Sequence, residues 1–295
     1  MTANIRDPKE NEDRASRPVT ISIVQINARD DDKEGNIRKV LKGLEVAGER
    51  KSDIVVLPET FTGSGLALHN AQALAEPISG PTIKRLAELA EKHKMYIVGS
   101  LFEAGSDGKT YNTAPLIGRD GKIAAVYRKT HLFDPQSRPD IPAYHESEKI
   151  TAGDSLCLVD LDFGRIGIAI CSDIRFPELF LDYALQGAEM VVLPTAFPAR
   201  LDHWEFLNRA RATDNQYYLA SSGMVGHLAD STVNFVGRSM IVDPWGVVVG
   251  QAPDREDVLT VTIDLRSIEA VRNWWPLNAQ RRPALYGALN QVTQK

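Results

Sequence analysis

Only two cysteines, Cys157 and Cys171, occur among the 295 residues. Two thiols cannot build a disulfide framework, which points to a reducing, cytoplasmic setting. No apolar run is long enough to span a bilayer. Met1 to Arg17 mixes both charges without an apolar core segment, so it reads as a solvated N-terminal tail and not as a signal or transit peptide. The net charge is only −5, which argues against nucleic acid or an anionic membrane as the main partner. Glycine-rich phosphate loops, H-E-x-x-H and C-x-x-C are all missing, and the six histidines are scattered without ligand spacing. The sequence therefore offers no metal site and no cofactor site.

What is present suffices for a large core: 43% of residues are apolar and 25% charged. Residues 18–295 read as a single domain. Val19 to Ile26 alternates apolar and polar positions as a strand does, and Asn36 is placed to cap a helix with Ile37, Val40, Leu41 and Leu44 on its buried face. Ile54 to Leu57 is a buried strand stopped by Pro58, which leaves Glu59 just past its end. Pro81 opens a second helix, and Met95 to Phe102 reads as one strand. Ala114 to Ile117 and Ile123 to Tyr127 flank an Asp-Gly turn, and the second of these strands delivers Lys129. Met190 to Thr195 echoes Ile54 to Glu59, which hints at two related strand–helix halves. Arg281-Arg282-Pro283 reads as an extended tail. Strands alternate with helices and hairpins, so the pattern predicts an α/β fold with mixed sheets and helices outside.

Gly164 to Glu178 is the stretch richest in chemistry. Ile166 to Ile170 is a short buried strand, the polarity changes abruptly at Cys171, and Pro177-Glu178 suits a helix start. A thiol in such a turn would be pushed toward thiolate by the helix N-terminus. A free Cys that merely packs is the alternative at this point. Cys157 lies mid-strand among Leu156, Leu158 and Val159, where burial disfavours ionisation. Ligand sites of α/β sheets gather beyond strand ends, and Glu59, Lys129 and Cys171 all fall there. Their types fit together: a thiol nucleophile, a carboxylate base, and a cation which, with the Ser172 backbone N–H, would hold an oxyanion.

Leu57-Pro58-Glu59, Tyr127 to Asp134 and Cys171 to Glu178 resemble the three signature motifs of the nitrilase superfamily of carbon–nitrogen hydrolases. Tyr144-His145-Glu146-Ser147, His203-Trp204-Glu205, Asp214-Asn215-Gln216, Phe235 to Ser239, Asp243 to Gly246 and Arg281 to Tyr286 continue the match in the family's order, over roughly residue 19 onward. The resemblance implies a four-layer αββα sandwich with mixed β-sheets, no cofactor or metal, a small-molecule amide as substrate, and packing into a homodimer or higher homo-oligomer. It carries the base to Glu59, the oxyanion partner to Lys129, the nucleophile to Cys171 and a second glutamate to Glu146. It places Ser172, Thr195, Phe61 and Arg175 at the substrate. Within the family the chain looks nearest the amidase branch that includes ω-amidase and deaminated-glutathione amidase. Ser172 stands where that branch usually has Tyr, and the loop between Phe197 and His203 looks shorter. N-carbamoyl amino acid hydrolysis, nitrile hydrolysis and a non-catalytic binding role are the alternatives.

Overall fold

The computed structural model describes residues 16–64, 68–135, 145–198, 201–227 and 234–287. In chain order its elements are β1 (Pro18–Gln25), α1 (Lys33–Glu49), β2 (Ile54–Val56), α2 (Ala71–Leu74), α3 (Pro81–His93), β3 (Tyr96–Val98), β4 (Leu101–Ala104), β5 (Thr110–Ile117), β6 (Ile123–Arg128), β7 (Cys157–Asp160), β8 (Arg165–Ile168), α4 (Pro177–Leu185), β9 (Met190–Pro194), α5 (Leu201–Asn215), β10 (Tyr218–Ser222), β11 (Met240–Val242), β12 (Val248–Gln251), β13 (Asp257–Asp264), α6 (Arg266–Trp274) and α7 (Leu277–Gln280).

The strands form two mixed sheets. One runs β13-β1-β2-β3-β5-β4 with β6 on β5, and the other runs β12-β11-β10-β9-β8-β7. Each is centred on three parallel strands, β1-β2-β3 in the first and β8-β9-β10 in the second. The side-chain alternation of a strand then assembles the layers. Ile54 and Val56 of β2 join Ile166, Val192 and Ala220 of the other sheet in one core cluster. Val55 and Leu57 point the opposite way, into a second cluster with Val40 and Leu44 of α1 and Ile83 and Leu86 of α3. Helix α5 packs on β10 and β11, and α4 lays Tyr183 over Gly167 of β8, so the two cover the outer face of the second sheet. The fold is thus the four-layer αββα sandwich. The repeated Leu-Pro motif stands at the ends of β2 and β9, the middle parallel strands of the two sheets. Their ends meet where Glu59 N donates to Thr195 O at 3.3 Å.

Several local expectations are corrected. Helix α1 starts three residues before Asn36, because Asp32 is the cap, accepting from Gly35 N at 2.8 Å. Asn36 is buried inside the helix and uses its amide to hold Arg29 and Thr62. The segment Met95 to Phe102 is two strands, not one. A Cβ at Gly99 would lie 2.4 Å from the Leu57 Cβ, so the chain crosses β2's end there with no room for a side chain. The tail reading extends one residue too far at least: Arg17 pairs with Glu189 at 2.7 Å and its N–H bonds Asp264. Residues 1–15 lie outside the described residues. Arg281-Arg282-Pro283 does not simply extend, since Pro283–Leu285 closes a single helical turn.

Candidate active site

Three segments converge at one end of the sandwich. The first leaves β2 through Leu57 and Pro58. Ser100 fastens it, with its hydroxyl accepting from Thr60 N at 2.9 Å and its carbonyl from Phe61 N at 3.2 Å. Glu59 is thereby buried at 2% exposure. Its Oε1 accepts from Asn112 Nδ2 at 2.9 Å and from Lys129 Nζ at 2.8 Å, and its Oε2 accepts from Ala196 N at 2.9 Å.

The second segment leaves β6. Lys129 N donates to Asn112 O at 2.9 Å and Gly153 N donates to Lys129 O at 2.8 Å. A Cβ at Gly153 would meet Arg128 O at 2.3 Å, so that close approach requires glycine. The Lys129 side chain is 1% exposed, and its ammonium lies between two carboxylates, Glu59 at 2.8 Å and Glu146 at 2.9 Å. Glu146, which follows residues 136–144, also accepts from Phe133 N at 2.7 Å. Tyr144 of the same motif lies outside the described residues.

The third segment carries Cys171. Its φ is +44°, a left-handed conformation that costs a non-glycine residue of order 1–3 kcal/mol. Asp173 sustains that turn. Its Oδ2 accepts from Ile170 N at 2.8 Å and Tyr127 OH at 2.7 Å, and its Oδ1 accepts from His131 N at 3.1 Å. His131 Nδ1 lies 2.8 Å from the same Oδ1, and the His131 ring stacks on Phe176 with centroids 3.8 Å apart. The Lys129–His131 strand end and the Cys171 turn are therefore one clamped unit.

Electrostatics follows from burial. Desolvation works against the Lys129 charge, but the carboxylates of Glu146 and Glu59 outweigh it and hold the ammonium well above the usual lysine range. Burial raises Glu146, with Lys129 opposing and Glu59 adding to the rise. Burial first, then the neighbouring Glu59 charge, push the Cys171 thiol well above the usual thiol range against the pull of Lys129. This corrects the expectation of a thiolate favoured by a helix terminus. Cys171 opens a single short turn, Cys171–Arg175, and α4 starts only at Pro177. Burial and the Glu59 charge thus both favour the neutral thiol. Cys157 is held up to about 11 by burial.

Lys129 has three donors, two of which are committed to Glu59 and Glu146. Among the described residues, the Ser172 N–H has no acceptor. The arrangement thus offers two donors beside a thiol.

The remaining sequence candidates separate. The Ser172 hydroxyl donates to His131 O at 2.5 Å, and the Thr195 hydroxyl donates to Ser222 O at 2.8 Å in a fully buried position. Phe61 is fully buried in the core cluster under α1 and α3. Arg175 is exposed, its guanidinium 5.2 Å from the Phe197 ring centre, and Phe197 packs on Trp204 with centroids 5.4 Å apart. Asn112, Asp173 and the Ala196 N–H were not found from sequence. Asn112 falls in β5, which starts at Thr110 and not at Ala114, and no pattern marks it. Among the described residues, no three His, Cys, Asp or Glu side chains converge to hold a metal ion.

A four-layer αββα sandwich with Glu, Lys and Cys gathered beyond its strand ends defines the nitrilase class of hydrolases. Residues 20–273 match the carbon–nitrogen hydrolase family model, and the chain belongs to that family. It is 37% identical over 264 residues to Omega-amidase NIT2-A of Xenopus laevis, covering 86% of this chain and 92% of that protein. It is 36% identical to the chloroplastic omega-amidase of Arabidopsis thaliana, covering 90% of this chain and 73% of that protein. Nit3 of Saccharomyces cerevisiae, a member of branch 10 of the nitrilase superfamily, superposes with a TM-score of 0.79 at 31% identity, covering 90% and 97% of the two chains. The chain is therefore an enzyme that hydrolyses carbon–nitrogen bonds other than peptide bonds.

Proposed function

We propose that the enzyme is a cysteine-dependent amidase acting on a terminal carboxamide of a small molecule. The observation that carries this reading is the buried Glu59–Lys129 pair, 2.8 Å apart, gathered at the same strand ends as the buried Cys171 thiol. Cys171 attacks the carbonyl carbon while Glu59 takes the thiol proton. The oxyanion is held by the remaining Lys129 N–H and the Ser172 N–H. Glu59 returns the proton to the leaving nitrogen, ammonia departs, and a thioester remains on Cys171. Glu59 then deprotonates the water that attacks the thioester, and the acid leaves as Cys171 recovers its proton. Glu146 balances Lys129 from the opposite side. Arg175, exposed beside Phe197, is the cationic contact for the substrate's remote end. The curated relatives named omega-amidase support the carboxamide over the carbamoyl and nitrile alternatives.

Ammonia release from a panel of small ω-amides, N-carbamoyl amino acids and nitriles tests this. The expected result is turnover confined to the carboxamides. Preference for carbamoyl compounds or nitriles, or no turnover of any, would sink it.

The same reading places the enzyme in the cytoplasm, supported by two free cysteines. Among the described residues no helix is long and apolar enough to cross a membrane. It also makes the enzyme at least a homodimer. Trp245, Trp274 and Trp275 stack edge-on in sequence at 5.2 and 6.0 Å while Trp274 stays 70% exposed, and Phe206 of α5 is exposed as well. Tryptophans left open to water in this way are characteristic of interfaces. Light scattering at micromolar concentration should give at least twice the chain mass, and Trp274→Asp should lower it. A monomeric wild-type mass would count against the dimer.

A further inference from the structure

We infer that Asn112 is a positioning residue for the reaction, acting through Glu59. This rests on the reading of Glu59 as the base. Asn112 holds two members of the site by different atoms. Its side-chain Nδ2 donates to Glu59 Oε1 at 2.9 Å, and its main-chain carbonyl accepts from Lys129 N at 2.9 Å. One residue of β5 therefore fixes the base and the lysine relative to each other.

The choice of side chain fits this task. Oε1 of Glu59 takes two donors, from Asn112 and Lys129, which stops the carboxylate from rotating. Oε2 is then the oxygen held by the Ala196 N–H at 2.9 Å. Asn112 is neutral, so it orients the carboxylate without adding a second cation that would weaken it as a base. The amide orientation is decided by this bond, since turning it would set an oxygen against a carboxylate. The other half of the amide has no such use. Asn112 Oδ1 is buried with no hydrogen-bond partner among the described residues. An unpaired buried acceptor is a standing cost that an apolar residue of the same size would not carry. The polar side chain is retained at 1% exposure for the sake of its one donor.

The test is a double-mutant cycle on the intact enzyme, with an amide that the wild type turns over. Asn112→Leu should lower kcat by about tenfold to a hundredfold, the range for a hydrogen bond to a charged group, with KM falling alongside it as hydrolysis of the thioester becomes the slow step. The acyl-enzyme on Cys171 should accumulate, seen by mass spectrometry, because water activation by Glu59 is slowed. Added to Glu59→Gln, Asn112→Leu should cost nothing further, since the group through which it acts is already gone. Asn112→Ser, a smaller change, should follow the same pattern and serves if the leucine variant does not fold. Wild-type kcat in the single variants would overturn the inference. So would an equal loss in the Glu59→Gln background, which would mark Asn112 as a general structural support. Undiminished turnover in Glu59→Gln alone would remove the base reading and this inference with it. An effective Glu59→Gln paired with an inert Asn112→Leu would remove only the inference.

Discussion

Lys129→Met should reduce kcat by about a hundred- to a thousandfold, the loss that follows removal of one oxyanion donor. It should also cost about 3–5 kcal/mol of stability, as breaking a buried ion pair does. Both effects come from one position. The ammonium is 1% exposed and lies within 2.9 Å of both Glu59 and Glu146, so its removal leaves two buried carboxylates facing a methyl thioether. Burial already raises Glu146 and Lys129 is the main influence opposing it, so the variant's Glu146 must rise further. The sign of the pH dependence follows. A carboxyl whose folded pKa lies above its unfolded value binds its proton more tightly in the folded state. Its contribution is favourable in acid and lost as the pH rises through the folded value. The gap in Tm between Lys129→Met and wild type should therefore narrow when the buffer is taken from about pH 8 to about pH 5. Near-normal turnover in Lys129→Met would show the lysine to be a structural charge and end the proposed chemistry.

Glu59→Gln should behave differently. Turnover should fall by roughly a hundred- to ten-thousandfold, the usual worth of a positioned base, yet an acyl adduct should appear on Cys171. The charge of Glu59 is the second cause of the raised Cys171 thiol, after burial. Glutamine removes that charge and leaves the pull of Lys129 unopposed, so thiolate becomes easier to form. The first half of the reaction can then proceed, while the water of the second half has no base. The stability loss should be smaller than in Lys129→Met, because Lys129 keeps Glu146. One clash is expected: the glutamine oxygen is claimed by Asn112 and Lys129, which turns its NH2 toward the Ala196 N–H. Two donors face to face there should cost about 1–3 kcal/mol. Mass spectrometry after incubation with substrate should show the acyl mass on Cys171 in Glu59→Gln and little of it in Lys129→Met, whose defect lies in the first tetrahedral step. An adduct-free Glu59→Gln that still binds substrate would place Glu59 in the attack step alone.

The elements that the sequence determined by itself are those written in local pattern. Ile54 to Leu57 is apolar on both faces because it lies between two cores, and Pro58 ends it because it has no N–H to donate. Pro81 and Pro177 start helices for the same reason. Glu59, Lys129 and Cys171 could each be placed past a strand end from the residues around them, and the recurring motifs named the family. Other features were decided only by the tertiary structure. Asp32 displaced Asn36 as a cap because Thr62 and the Arg29 backbone claimed the asparagine. Asn112 carries no local signature, and its partner Glu59 lies 53 residues away. The ionisation tendency of Cys171 is not legible in the sequence, because it is set by a contest between burial, Glu59 and Lys129. A strand's period is set by its own backbone and survives in one dimension. A charge state or a shared donor is set by which groups are within reach in three dimensions and by how much water is excluded.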